Sequence, residues 1–140
     1  LGLGVDGSAS NDASNLIEEV RQALLLQRLG SGAATVGHAD ALRWATEGGA
    51  RCLGRDDIGQ IAPGLEADLA LFRLDELRHS GGHDPLAALV LCGTNRADRV
   101  MVGGTWRVEE GHAADIDEPD LMRRHNQAAR RLRQLAGLEG

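Results

Sequence analysis

The hydrophobic positions of this chain change period several times, and each change marks an element. Leu1, Leu3 and Val5 alternate with glycine and stop at Asp6, after which Gly7 to Asn15 is a run of small and polar residues. The alternation predicts a strand and the polar run a loop. From Leu16 the period turns helical. Leu16, Ile17, Val20, Ala23 and Leu24 fall within about 120° of one face. Ser14 or Asn15 is placed to cap this helix, and Glu18 and Glu19 occupy its first turn, where the helix dipole favours acids. Leu25, Leu26 and Leu29 leave that arc, so the second half is apolar nearly all round and calls for burial on two sides. Gly30-Ser31-Gly32 ends the helix.

Further along, Thr35 is expected to cap a helix from His38 to Glu47 with Ala41, Leu42 and Ala45 facing inward. Gly48-Gly49 then interrupts, a short turn carries Ala50, Cys52 and Leu53, and Gly54 closes it. Ile58 to Ile61 reads as a short strand and Pro63-Gly64 as a type II turn. Leu69 to Phe72 is a continuous apolar run of the kind found in strands covered on both faces. Leu86 to Leu91 is open between helix and strand. Arg99 to Val102 and Thr105 to Val108, joined by Gly103-Gly104, predict a hairpin whose two-residue turn needs positive φ. Asp117 to Gly140 predicts a final helix with an apolar stripe of Leu121, His125, Ala128, Leu132 and Leu135, His125 being a core residue, and with its arginines mostly off that stripe.

Composition narrows the partners. The 140 residues carry a net charge of −6, which excludes a general nucleic-acid or anionic-membrane partner, since either needs a concentrated basic face. Trp44, Trp106 and Phe72 are the only aromatic residues, too few for base stacking. Cys52 and Cys92 form neither a zinc knuckle nor a disulfide framework. No apolar run approaches the roughly 20 residues of a membrane span, and a cytoplasmic location is expected. The chain opens without Met and inside a predicted strand, so it is expected to be a carboxyl-terminal piece of a larger protein.

Asp6 is the acidic side chain best placed for chemistry. A carboxylate at the carboxyl end of a strand, followed by a loop and a helix, stands where barrel enzymes put metal ligands and proton carriers. The plain alternative is that Asp-Gly is a common turn dipeptide. The loop is longer than the 2–6 residues typical of a strand–helix connection, however, and long polar loops of this kind tend to be functional. The five histidines are scattered, and no His-x-His or Cys/His cluster exists to build a three- or four-ligand metal site. His79 and His83, with Asp84, have helical metal-ligand spacing, but Gly81-Gly82 between them disfavours a helix. Asp68, beside an apolar strand, must be hydrogen-bonded; a structural role accepting backbone N–H groups of the Pro63-Gly64 turn is expected.

Three stretches carry a resemblance: Gly4-Val-Asp-Gly-Ser-Ala-Ser-Asn11, Ala41 to Gly54, and Asp57 to Leu71, with supporting segments from Glu19 to Arg28 and from His83 to Cys92. Together they resemble the carboxyl-terminal third of the amidohydrolase superfamily, nearest the aminohydrolases that deaminate purines and s-triazines. The resemblance implies an α/β fragment: the last strand and helices of a (β/α)8 barrel over residues 1–55, the carboxyl-terminal part of a small composite β-sandwich over 56–112, and a carboxyl-terminal helix over 113–140. It implies one divalent metal, zinc before iron, whose remaining ligands precede residue 1. Asp6 would touch that metal and carry the proton from the attacking water to the leaving ammonia. Asn11 would reach the substrate, while Ser8 and Ser10 shape the loop.

The implied reaction is hydrolytic deamination of a small heterocycle, an oxidised purine (8-oxoguanine to urate), in a homo-oligomeric enzyme. Guanine or an s-triazine is the alternative substrate, and a non-catalytic β-rich scaffold is the alternative of another class. The 140 residues alone are expected to be inactive.

Overall fold

In the computed structural model, which describes residues 1–94 and 96–138, a helical layer adjoins a small antiparallel sheet. The helical layer consists of α1 (Leu16–Ser31), α2 (His38–Ala45), α3 (Glu47–Cys52) and α4 (Pro85–Leu91). Its core is Val20 and Leu24 of α1, Ala41 of α2 and Val90 of α4, with Leu3, Ile17 and Leu42 packed around them. Leu24 is 0% exposed. The small side chain of Ala41 is fully buried where α1, α2 and α4 pack together.

Local chemistry explains the helix ends. Asn15 caps α1, its side chain accepting from the Ile17 N–H at 3.2 Å. The cap of α2 is Gly37, not Thr35. Thr35 turns its hydroxyl to Gly32 O at 2.7 Å, and the Gly37 N–H is satisfied instead by Asp40 Oδ2 at 3.0 Å. Gly48 and Gly49 lie inside α3 rather than interrupting a helix, and the break between α2 and α3 falls at Thr46. Leu86 to Leu91 resolves as helix because Asp84 and Pro85 start it: Asp84 Oδ1 accepts from Leu86 N and Ala87 N at 2.9 and 3.1 Å.

The sheet is a meander of β1 (Leu69–Leu71), β2 (Arg99–Val102), β3 (Thr105–Glu109) and β4 (His112–Ala113). The β2–β3 hairpin turns at Gly103 and Gly104 with φ of 54° and 76°, the left-handed pair of a type I′ turn. Pro63-Gly64 forms the type II turn, with Gly64 at φ 89° and Leu65 N bonded to Ala62 O at 3.3 Å.

Further expectations change. Residues 1–5 carry no regular secondary structure and pair with no strand among the described residues, and an unpaired segment is not a sheet member. Ile58 to Ile61 is not a strand: the Gly59 backbone lies against α3, where a Cβ would stand 3.0 Å from Thr46 O. Leu69 to Phe72 is not covered on both faces, since Ala70 and Leu71 are exposed. An apolar cleft of about 680 Å³ separates the sheet from the helices, lined by Leu3, Ile17, Leu42, Leu69 and Phe72 among others.

His125 is not a core residue. It lies on α5 (Glu118–Leu135), which buries none of its side chains; Leu132 and Leu135 on the same stripe are 66% and 76% exposed. The expected extension of this helix to residues 139–140 lies outside the described residues. On α1, Leu29 is 85% exposed, so the second apolar face that the sequence displays has no cover among the described residues. No helix among the described residues is long and apolar enough to cross a membrane.

Two outcomes test this packing. Leu24→Ala should cost about 2–5 kcal/mol of unfolding free energy, because it removes a fully buried side chain from the point where three helices meet. Denaturant titration measures it, and a cost under about 1 kcal/mol would contradict the packing described. The second concerns Asp84. The Ala87 N–H foremost, then the nearby His38 and the Leu86 N–H, hold its carboxyl below the usual carboxylate range. A carboxylate with a lowered folded-state pKa stabilises the fold above its unfolded pKa and loses that contribution as pH falls through the folded value. Melting curves of the parent and Asp84→Ala should therefore be separated at neutral pH and converge in acid; a constant separation down to the acid limit contradicts it.

Candidate functional site

Asp6 lies where segment 1–5 ends and a polar loop begins, and the segment is held from behind. Leu3 packs on the helical core. Leu1 O lies directly over Gly48 of α3, so close that any side chain there would collide with it. A Cβ on Gly2 would in turn meet Cys52 Sγ at 3.0 Å and Gly48 O at 3.2 Å. Glycine on both sides lets two backbones approach to a distance that side chains forbid. Segment 1–3 therefore lies directly on α3, and Asp6 follows three residues after the Leu3 anchor.

Asp6 itself has φ 61°, a left-handed conformation that aspartate tolerates better than most residues. Its Oδ1 accepts from the Gly7 N–H at 2.7 Å. The other carboxylate oxygen makes no hydrogen bond among the described residues, and the side chain is exposed. A hard anionic oxygen left free at the start of a polar loop suits both a divalent cation and a proton.

The loop after Asp6 is folded on itself. Ser10 N and Asn11 N both bond Gly7 O, at 2.8 and 3.0 Å. Asn11 donates its amide N–H to Glu19 Oε1 at 2.6 Å and accepts from Ala13 N at 3.3 Å. Both ends of the Asn11 side chain are thus engaged with protein. Ser8 and Ser10 are exposed in the turn. No sequence signal marks Glu19 as the partner of Asn11, because the helix dipole already accounts for a first-turn glutamate.

The other candidates lie apart from this loop. Asp68 accepts from Gly103 N at 2.7 Å, so its donor is the tip of the β2–β3 hairpin and not the Pro63-Gly64 turn. Ala67 O takes the neighbouring Gly104 N at 3.1 Å, and residues 67–68 latch the hairpin tip to the start of β1. His79, His83 and Asp84 do not gather on a helix. His79 is 6% exposed in a 3-10 turn with Nε2 2.9 Å from Thr94 Oγ1, while Asp84 Oδ2 pairs with His38 Nε2 at 2.9 Å. Nothing in the sequence spacing links His38 with Asp84; the crossing of α2 and α4 brings them together. Among the described residues no three His, Cys, Asp or Glu side chains cluster to hold a metal, so Asp6 stands as a single donor.

Comparison with known proteins gives this loop a setting. Residues 1–107 match the model of the amidohydrolase family. The chain is 64% identical to 8-oxoguanine deaminase from Pseudomonas aeruginosa, over 94% of its own length and 29% of the relative's. It is 38% identical to hydroxydechloroatrazine ethylaminohydrolase from a Pseudomonas species, over 94% of this chain and 28% of that one. Among solved structures, an adenosine deaminase from Xanthomonas campestris with bound zinc superposes with a TM-score of 0.88 at 32% identity, covering 96% of this chain and 31% of that one. Atrazine chlorohydrolase from Arthrobacter aurescens complexed with zinc gives 0.83 at 35%, covering 90% and 29%. The chain therefore spans less than a third of the length of each of these proteins.

Because Asp6 is a lone donor among the described residues, the 140-residue chain by itself should bind zinc weakly and below one ion per chain. Equilibrium dialysis with metal analysis measures this, and one tightly held zinc per chain would contradict it.

Proposed function

The chain belongs to the amidohydrolase family, and from that premise we propose that it is the carboxyl-terminal part of a metal-dependent aminohydrolase that deaminates an oxidised purine, 8-oxoguanine foremost. The observation that carries the reading is the 64% identity to a relative named for that reaction, over 94% of this chain. The family's s-triazine and adenosine-type members are similar at 32–38%, which supports the reaction class more than their substrates. In this reading residues 1–55 complete a barrel, residues 56–112 contribute to a composite sheet, and α5 follows.

The chemistry is addition of water to the ring carbon that bears the exocyclic amine, followed by cleavage of the C–N bond and departure of ammonia. A divalent metal, zinc in our reading, supplies when bound the acidity that makes water a nucleophile at neutral pH. From this chain Asp6 would hold it, through the carboxylate oxygen that the Gly7 N–H leaves free; further ligands must come from outside these residues.

Asp6 also carries the proton. Its carboxylate accepts a proton from the attacking water as the C–O bond forms, then delivers it to the amine nitrogen as the C–N bond breaks. The positive φ at Asp6 and the Gly7 bond fix the side chain before substrate arrives, so that reorganisation is small at the moment of transfer. Asn11, with both ends of its amide engaged, holds the loop in this reading.

A full-length protein carrying this chain, assayed by ammonia release, should deaminate 8-oxoguanine in preference to guanine, isocytosine and hydroxy-s-triazines. Asp6→Asn should leave the melting temperature near that of the parent and lower kcat by about 10²–10⁴-fold, the range attributable to positioned proton transfer. Turnover by Asp6→Asn near the parental rate, or preference for a triazine, would overturn the corresponding part of the reading.

A further inference from the structure

Glu19 lies on the first turn of α1 and has no place in the chemistry just described. Its neighbour Val20 is 1% exposed and belongs to the core, so the backbone carrying Glu19 is fixed. A continuous line of hydrogen bonds runs from that fixed point to the carboxylate of Asp6. Glu19 Oε1 accepts from Asn11 Nδ2 at 2.6 Å, Asn11 N donates to Gly7 O at 3.0 Å, and Gly7 N donates to Asp6 Oδ1 at 2.7 Å. The residues between, from Ser8 to Ser14, are small and mostly exposed, and the loop has left-handed residues at both ends, Asp6 at φ 61° and Ser14 at φ 46°. Apolar packing does little to hold such a loop, so hydrogen bonds must define its shape.

We propose that Glu19 is a positioning residue for Asp6, acting through Asn11 to set the conformation of the loop that presents the carboxylate. The proposal rests on the proton-carrying role of Asp6, and it separates Glu19 from its neighbour Glu18, which shares the same helix turn and charge. Glu18 accepts from the cap side chain of Asn15 at 3.5 Å and, among the described residues, makes no hydrogen bond into the loop's turn at Gly7. The function of Glu19 is to accept a hydrogen bond, and its charge is incidental. A glutamine keeps the accepting oxygen.

The test uses the full-length enzyme with variants Glu19→Ala, Glu19→Gln, Glu18→Ala, Asn11→Ala and the double variant Glu19→Ala/Asn11→Ala. Glu19→Ala is expected to lower kcat by about tenfold to a hundredfold, as a misplaced reacting group does, with KM changed less than about threefold. Glu19→Gln should restore kcat to within about threefold of the parent, and Glu18→Ala should remain there as well. The double variant should be no slower than Asn11→Ala alone, since both act through one link.

Amide exchange at Ser10 and Asn11 supplies a readout independent of turnover. It should accelerate in Glu19→Ala and stay parental in Glu19→Gln. Parental kcat in Glu19→Ala, equal loss in Glu19→Gln and Glu19→Ala, or unchanged exchange would each overturn the proposal. A raised KM confined to the Asn11 variants would overturn it too, assigning Asn11 to the substrate. Should Asp6→Asn prove fully active, the catalytic reading fails, whereas the exchange result still judges the link itself.

Discussion

The approach of two backbones, segment 1–3 on α3, determines where the candidate chemistry sits. It exists because Gly2 and Gly48 carry no side chains at the contact, and because Leu3 beyond it is drawn into the core of Val20, Leu24, Ala41 and Val90. An isolated extended segment has no ladder to define its course. Here a helix backbone and one anchored leucine define it instead. Asp6 inherits its position from that docking and its orientation from the left-handed turn into Gly7. The proposed reaction calls for a carboxylate at this point, and this contact lets the chain present it.

The same economy appears in the sheet. A meander of short strands has little apolar face of its own, and it is tied together by groups at its corners. Asp68 and Ala67 clasp the Gly103-Gly104 tip, and Gly111 N bonds Asp98 O where β3 returns. At the far end His112 and the Ala113 N–H share the carboxylate of Glu118, joining β4 to the first turn of α5. Polar links of this kind fix geometry without burying much surface, and the open apolar cleft between sheet and helices fits a chain that spans less than a third of its relatives.

Much of this was legible in the residues, and the boundary has physical causes. Signals confined to a few neighbouring residues read true: the Gly103-Gly104 hairpin, the Pro63-Gly64 turn, the Asn15 cap and the Ile17–Val20–Leu24 face. Signals that depend on what lies opposite did not. A strand was expected at residues 1–5 because alternation cannot reveal whether a partner strand is present. Leu69 to Phe72 and His125 were expected to be covered because apolar sequence reports the wish for burial and not its cover. Thr35 lost the cap of α2 to Gly37 because Asp40, three residues along, supplies the oxygen. At the candidate site Asp6 could be singled out from its place in the chain, whereas the Glu19–Asn11 link joins residues eight apart and requires the loop's fold to be known.

In the proposed function this chain delivers one carboxylate, Asp6, to a divalent metal in the assembled protein. Anomalous diffraction at the zinc edge from crystals of the full-length protein tests it most directly. The expected result is an Asp6 carboxylate oxygen in direct contact with the metal, at about 2.0–2.2 Å for a zinc–carboxylate bond, with the Gly7 N–H still on its other oxygen. A metal bound with the Asp6 side chain turned away and beyond contact would contradict it.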